Sequence, residues 1–241
     1  MSTPPSTVTD LLERLVATGG RPALTWYGDD GERIELSGAV LGNWVSKTVN
    51  LLVEEFDAGP GTDVVVDLPV GWRQTVWALA AARCGAAVVL RDPDADAADA
   101  DAPDVVVTSR PERWAGTTAE LVAVALPALA RRFDGDLPPE AIDAAAAVMT
   151  YGDAIGFDPA AGRPAPLSAL PGADGAAGAG DDAGRSLVRG AGTVRRALGE
   201  TVDVWARGGS VVLTSAATAR ELAQDASRLE RLVTSEQITR S

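Results

Sequence analysis

The sequence predicts an α/β protein: a mostly parallel sheet with helices on both faces and an early β-hairpin. Three observations carry this. Val64-Val65-Val66 is apolar without alternation, the pattern of a strand covered on both faces. Such runs alternate with segments whose apolar residues fall three and four apart, and strands alternating with helices imply parallel pairing through right-handed crossovers. Gly28-Asp29-Asp30-Gly31 separates two short β-like runs and supplies the positive φ angles of a hairpin turn.

The elements follow in order. Val8, Leu11, Leu12, Leu15 and Val16 predict an amphipathic helix over 7–18, which Gly19-Gly20 ends. Ala23–Tyr27 and Arg33–Leu36 form the hairpin. Ser37 can cap the next helix, whose apolar face runs from Val40 through Trp44 and Thr48 to Leu52 and which ends near Asp57. After the Gly59-Pro60-Gly61 turn come strand 63–68, a helix from Trp72 to Cys84, a second buried-type strand at Ala86–Arg91, a third at Asp104–Thr108 and a fourth at Leu121–Leu126. Asp94–Asp104 reads as a solvated loop, because alternating Asp-Ala lacks the glycine-punctuated oxygen ligands of a Ca²⁺ loop. Residues 158–186 are rich in Pro, Gly, Ala and Asp and read as a loop or linker. Leu187–Arg207 reads mostly as helix, Ser210–Thr214 as strand and Thr218–Val233 as one amphipathic helix. The predicted organisation is an α/β domain over 1–157, the loop over 158–186, and a smaller α/β piece over 187–241 that packs on the first.

Composition narrows the chemistry. The 241 residues carry 21 Lys plus Arg against 34 Asp plus Glu, a net charge of −13, with no electrostatic attraction to nucleic acid or to anionic membranes. Histidine is absent, which removes Ser-His-Asp triads, Cys-His dyads and imidazole-held zinc or haem. The one cysteine, Cys84, lies at the end of a predicted helix, away from the helix N-terminus that would activate it, and is expected to be buried and inert. The start of the chain has no basic region followed by a long apolar run, so a cytoplasmic, soluble chain is expected. The six tryptophans sit mostly among apolar neighbours on predicted helices and are expected in the core.

From Pro22 to Pro93 the order P-A-L-T-W, V-L-G-N-W-V-S-K-T-V-N-L-L, G-P-G-T-D-V-V-V-D-L-P and W-A-L-A-A-A-R-C-G-A-A-V-V-L-R-D-P resembles the amino-terminal subdomain of AMP-binding, adenylate-forming enzymes such as acyl-CoA synthetases. Near the other end, L-G-E-T-V-D-V-W-A-R-G-G-S-V-V-L followed by E-R-L-V-T-S-E-Q-I-T-R is similar to a further segment of those enzymes. The chain most resembles a small actinobacterial family distantly similar to them. The resemblance implies an adenylation site, and the departures from it are specific.

The superfamily's phosphate loop has the form T-S-G-T-T-G-x-P-K-G, whose backbone N–H groups and hydroxyls wrap ATP phosphates. Its best counterpart is F-D-P-A-A-G-R-P-A-P-L-S, Phe157–Ser168, where Gly162, Arg163 and Pro164 match G-x-P. Ala165 replaces the lysine, Pro166 removes an N–H, and an acidic, Pro-containing run replaces the Ser/Thr cluster. The superfamily's mobile carboxy-terminal domain and its lysine are expected to be missing, and Lys47, the one lysine, reads as a solvated helical residue. Met149-Thr150-Tyr151-Gly152-Asp153 is superficially like a later nucleotide motif, but it precedes the loop where the superfamily has it after.

Ligands of parallel sheets sit beyond the strands' carboxyl ends, which points to Pro69–Trp72, Arg91-Asp92 and Thr108-Ser109-Arg110. The last three residues suit a small anion or nucleotide; the alternative is a plain strand-end loop capped by Ser109 and closed by Pro111, which fold-level reasoning favours. The ligand-binding candidates are therefore Thr108, Ser109, Arg110, Gly162, Arg163, Pro164 and Ser168, with no catalytic residue, no metal site, and no cofactor, since neither ATP nor AMP finds an intact motif. Two functional readings stay open: a catalytically inactive module binding a small molecule or a protein, and a ligase-type enzyme acting on an acyl or nucleotide substrate. A partner protein or second copy could pair through an exposed strand edge or the last helix.

Overall fold

A computed structural model describes residues 4–95, 102–173 and 184–240. The centre of the Asp94–Asp104 loop and most of the 171–184 run lie outside the described residues. In chain order the elements are α1 (Val8–Ala17), β1 (Pro22–Tyr27), β2 (Arg33–Ser37), α2 (Gly38–Phe56), β3 (Asp63–Asp67), α3 (Trp72–Arg83), β4 (Ala87–Leu90), β5 (Val105–Thr108), β6 (Glu120–Ala123), β7 (Ile142–Asp143), α4 (Ala144–Ala147), β8 (Arg185–Arg189), α5 (Val194–Ala206), β9 (Ser210–Thr214), α6 (Ala216–Gln224) and α7 (Ala226–Ser235). They form two compact units interleaved along the chain: Met1–Gly42, Val70–Thr75 and Pro166–Ser241 make the first, Asn43–Pro69 and Val76–Ala165 the second. No helix among the described residues is long and apolar enough to cross a membrane.

The first unit holds a four-stranded sheet in the order β2-β1-β9-β8. β1 and β2 form the antiparallel hairpin, and the other two pairings are parallel. α1 starts in a capping box: the Thr7 hydroxyl accepts from Asp10 N–H and the Asp10 carboxylate from Thr7 N–H. Hydrogen bonds donated to the Asp10 carboxylate by Ser6, and then by Thr7, hold that carboxyl below its usual pKa. On one sheet face Leu187 and Val212 pack against Leu222 of α6, Leu232 of α7 and Ile238. Val211 and Leu213, on the opposite face by strand alternation, are equally buried.

Two helical expectations are corrected in this unit. Leu187–Arg189 is strand, because the alternating β8 residues pair in register with β9 and the chain leaves the sheet at Gly190, where a Cβ would stand 2.2 Å from the Thr214 carbonyl. Helix begins only at Val194, capped by the Thr193 hydroxyl. The predicted helix over 218–233 is two helices: Asp225, extended at φ −127°, stops α6, and its carboxylate accepts from Arg228 N–H to cap α7.

Gly199, inside α5, carries a consequence opposite to helix propensity. A Cβ there would lie 2.1 Å from the Gly172 carbonyl oxygen. At an exposed helix site Gly→Ala stabilises by about 0.5–1 kcal/mol; here overpacking against backbone should reverse the sign, so Gly199→Ala is expected to lose about 1–3 kcal/mol in urea unfolding.

The second unit holds a parallel sheet in the order β4-β3-β5-β6-β7. Val65 and Val106 face Trp114 and Leu121, while Val64, Val66, Val105 and Val107 are buried on the other side. β4 corrects the expectation of a second fully covered strand. It is an edge strand, and Val89 is 43% exposed. The β5–β6 connection contains no α-helix, only a 3-10 turn at Pro111–Trp114. The short β7 and α4 carried no sequence signal; Asp143 caps α4 by accepting from Ala145 and Ala146 N–H.

Lys47 is not a solvated helical residue. Its ammonium donates to the Tyr151 carbonyl and pairs with Asp153 at 2.9 Å. On the same helix Asn50 donates to the Gly152 and Ala154 carbonyls and accepts from Gly156 N–H, while Glu55 accepts from the Tyr151 hydroxyl. This stretch of α2 therefore serves as a backing for residues 151–156. Cys84 is fully buried, and that burial pushes its thiol pKa up. Trp72, Trp77 and Trp205 are buried, as are Trp26 and Trp114, whereas Trp44 is half-buried.

Candidate functional site

In the second unit β3 leads to β4 on one side, while β5 pairs on the other. This reversal of order opens a crevice at the carboxyl ends of β3 and β5, the place where parallel α/β sheets hold ligands. A cleft of about 510 Å³ lies at these ends, walled by Pro69 after β3, Ser109 and Arg110 after β5, and Leu126 and Pro127 after β6, with Phe133 and Asp134 across from them. The volume falls in the range of small-molecule sites.

Asp67, the last residue of β3, organises the polar end. It is 4% exposed and accepts from the Thr108 hydroxyl at 2.8 Å, from Trp114 Nε1 at 2.9 Å and from Arg110 Nη2 at 2.9 Å. Thr108, fully buried, in turn accepts from Arg110 N–H at 2.9 Å. The turn after β5 is therefore capped by Thr108 and not by Ser109. Arg110 also donates Nη1 to the Pro93 carbonyl, to which Arg113 donates as well. The Arg91 guanidinium lies 5.7 Å from the Trp114 ring centroid. On the far wall the Asp143 carboxylate accepts from Phe133 N–H at 2.8 Å and so fixes the aromatic side chain's backbone.

These contacts decide the electrostatics. The Arg110 charge is balanced at 2.9 Å by a buried carboxylate, and Asp134 adds a negative charge to the wall. Apolar side chains make up most of the remainder. The arrangement suits an uncharged, largely apolar ligand oriented by one or two hydrogen bonds to Ser109 or Arg110, and it offers little to a polyphosphate.

The expected site residues do not converge. Ser109 and Arg110 line the cleft and Thr108 supports them from beneath. Gly162, Arg163 and Pro164 are exposed on a turn, and among the described residues no hydrogen bond or ion pair joins them to 108–110. Ser168 is exposed in a 3-10 turn, Leu167–Ala169, of the first unit. The turn at 158–163 is closed on itself: Asp158 Oδ1 accepts from Ala160 N–H, the Asp158 carbonyl from Ala161 N–H, and the Ala160 carbonyl from Arg163 N–H. Arg83 pairs with the other Asp158 oxygen at 2.8 Å and, as the largest influence, holds that carboxyl below its usual pKa. Sequence reasoning missed Asp67, Phe133 and Asp134. The only signal for Asp67 was a carboxylate directly after the Val64-Val65-Val66 run of β3.

No protein-family model matches the chain. A TIGR03089 family protein of Mycobacterium tuberculosis is 36% identical over 135 residues, which is 56% of this chain and 55% of that protein. Among solved structures, an acyl-CoA synthetase of Brucella canis superposes with a TM-score of 0.63 at 17% identity, over 92% of this chain and 46% of its own. Acetoacetyl-CoA synthetase from Streptomyces lividans gives 0.63 at 14% identity, over 88% of this chain and 38% of its own. An amide bond synthetase from Marinactinospora thermotolerans gives 0.58 at 17% identity, over 90% and 46% respectively. The chain spans about half the length of the M. tuberculosis relative and less than half of each of these structures. Across that length it has the α/β fold seen in the acyl-CoA synthetases.

Proposed function

We propose that this chain is a small-molecule-binding module on the fold of the adenylate-forming enzymes and that it does not itself form adenylates. The observation that carries the reading is the self-closed turn at 158–163. Where a phosphate loop must present free N–H donors, those of Ala160, Ala161 and Arg163 already have acceptors, and Pro159, Pro164 and Pro166 have no N–H. The cleft beyond β3, β5 and β6 supplies the alternative: a concave, mostly apolar site with a neutralised polar end. Protein association has less support, because the cleft is concave and sized for a small ligand.

The test has two arms. ATP–pyrophosphate exchange over a panel of carboxylic acids should stay at the protein-free rate, and titration calorimetry with ATP and AMP should give no saturable heat. Neutral apolar compounds screened by thermal shift should yield binders whose effect is lost in Phe133→Ala. Robust exchange that Arg163→Ala abolishes would establish the ligase reading instead.

A further inference from the structure

The first unit contains another cleft, of about 490 Å³, which shares no residue with the one described above. It is formed by the starts of β1, β8 and β9 and by the ends of α1 and α7. Glu236, 8% exposed, is saturated there: it accepts from the Tyr27 hydroxyl at 2.6 Å, from Arg33 Nε at 2.9 Å and from Arg185 Nη2 at 2.5 Å. Arg33 also pairs with Glu35 at 3.0 Å. Two carboxylates and two guanidiniums thus balance, and a third arginine in the wall does not. Arg21 is exposed and its side chain has no partner among the described residues. In a chain of net charge −13 this cleft carries a local positive excess.

Two further features point to an occupant. Arg185 has its Nη2 engaged by Glu236 and by the Thr25 hydroxyl at 2.7 Å, but its Nε–H is buried without an acceptor. A buried guanidinium donor without a partner is costly, and a ligand oxygen is its natural complement. Gln237 stands at φ +53°, directly after Glu236, the C-cap of α7. Ile238 N–H donates to the Val233 carbonyl and Gln237 N–H to that of Thr234, so Gln237 holds the left-handed position that glycine fills at least cost. Its exposed side chain lines the cleft and has no partner among the described residues. Asp57 takes the same left-handed position after α2, so the conformation belongs to the helix cap, and the part of Gln237 that bears on the cleft is its unpartnered amide side chain.

The geometry points to an oxyanion site in this cleft: the carboxylate or phosphate group of a small ligand, accepting from Arg185 Nε and Arg21, with the Gln237 amide as a further donor. Gly208 and Gly209, which precede β9, line the same wall, but their N–H groups already donate to the Trp205 and Val204 carbonyls, so the donors of the site are side chains. The site stands on the first unit's residues alone, so its failure and that of the function proposed above are separate events.

The full chain would be titrated with acetate, inorganic phosphate and ethylammonium chloride at matched ionic strength while amide NMR signals of Arg185, Gly208, Gly209, Ser210 and Gln237 are followed. Saturable shifts with acetate alone identify a carboxylate ligand, with phosphate alone a phosphorylated one, with both a general oxyanion; each supports the site. Arg21→Ala should weaken the effective anion about 3- to 10-fold with unchanged melting temperature. Gln237→Gly should weaken it too, yet raise the melting temperature by roughly 1–3 °C. No saturable shift with either anion, an equal response to ethylammonium, or full affinity in both variants overturns the proposal.

Discussion

Asp67→Ala is expected to lower the unfolding free energy by about 3–5 kcal/mol, the scale of removing one partner from a buried charge pair. Three donors lose their acceptor at once: the Thr108 hydroxyl, Trp114 Nε1 and Arg110 Nη2. Trp114 is 4% exposed and Thr108 fully buried, so neither recovers its hydrogen bond from water without opening the structure. For a chain of this length each kcal/mol moves the melting temperature by roughly 2–4 °C, which makes the expected drop about 6–20 °C. Asp67→Asn keeps the volume but turns amide hydrogens towards donors, and should fall between wild type and alanine. A loss below about 1 kcal/mol in urea unfolding would remove Asp67 as the organiser of the cleft. The same variant frees Arg110 from its counter-ion, so it should also favour anionic over neutral compounds in the cleft.

Glu236→Gln is expected to destabilise the chain by about 2–4 kcal/mol at neutral pH and to flatten its acid limb. Burial alone would raise the Glu236 pKa; hydrogen bonds from Tyr27, Arg185 and Arg33 outweigh it and hold the carboxyl below the usual value of 4.5. A carboxyl with a depressed folded pKa contributes stability that is fully present above the unfolded value and is lost as pH falls through the folded one. Wild type should therefore lose this contribution progressively below about pH 4.5, while the glutamine variant, which has no proton to take up, should not. Thermal unfolding of both proteins from pH 7 to pH 3 checks this. Parallel acid limbs would mean that the Arg33 and Arg185 contacts do not hold in solution. The Tyr27 hydroxyl, whose pKa is raised by its own burial and by Glu236, stays protonated throughout that range.

Local patterns were read well where neighbouring residues decide the outcome. The hairpin followed from a glycine- and aspartate-rich spacer, α1 from its apolar spacing, and β3 and β5 from unbroken valine runs. The misreadings of β8 and β4 share one cause. β8 and β4 are short, and whether a four- or five-residue run is strand, and whether it is central or edge, depends on partners far away in the chain. The break between α6 and α7 turned on Asp225 acting as a cap, which competes with the continuous amphipathic spacing on either side of it.

The sequence by itself determined the α/β class, the parallel strand-and-helix alternation and the acidic net charge, because these depend on composition and on spacing within one element. Tertiary structure alone decided that Asp67 balances Arg110, that Arg83 balances Asp158, that Lys47 is tied to residues 151–153, and that five separated segments supply the walls of each cleft. A charge's availability to a ligand depends on which opposite charge the folded chain places beside it, and sequence distances of 43 and 75 residues, as for Arg110 and Arg83, carry no trace of that pairing.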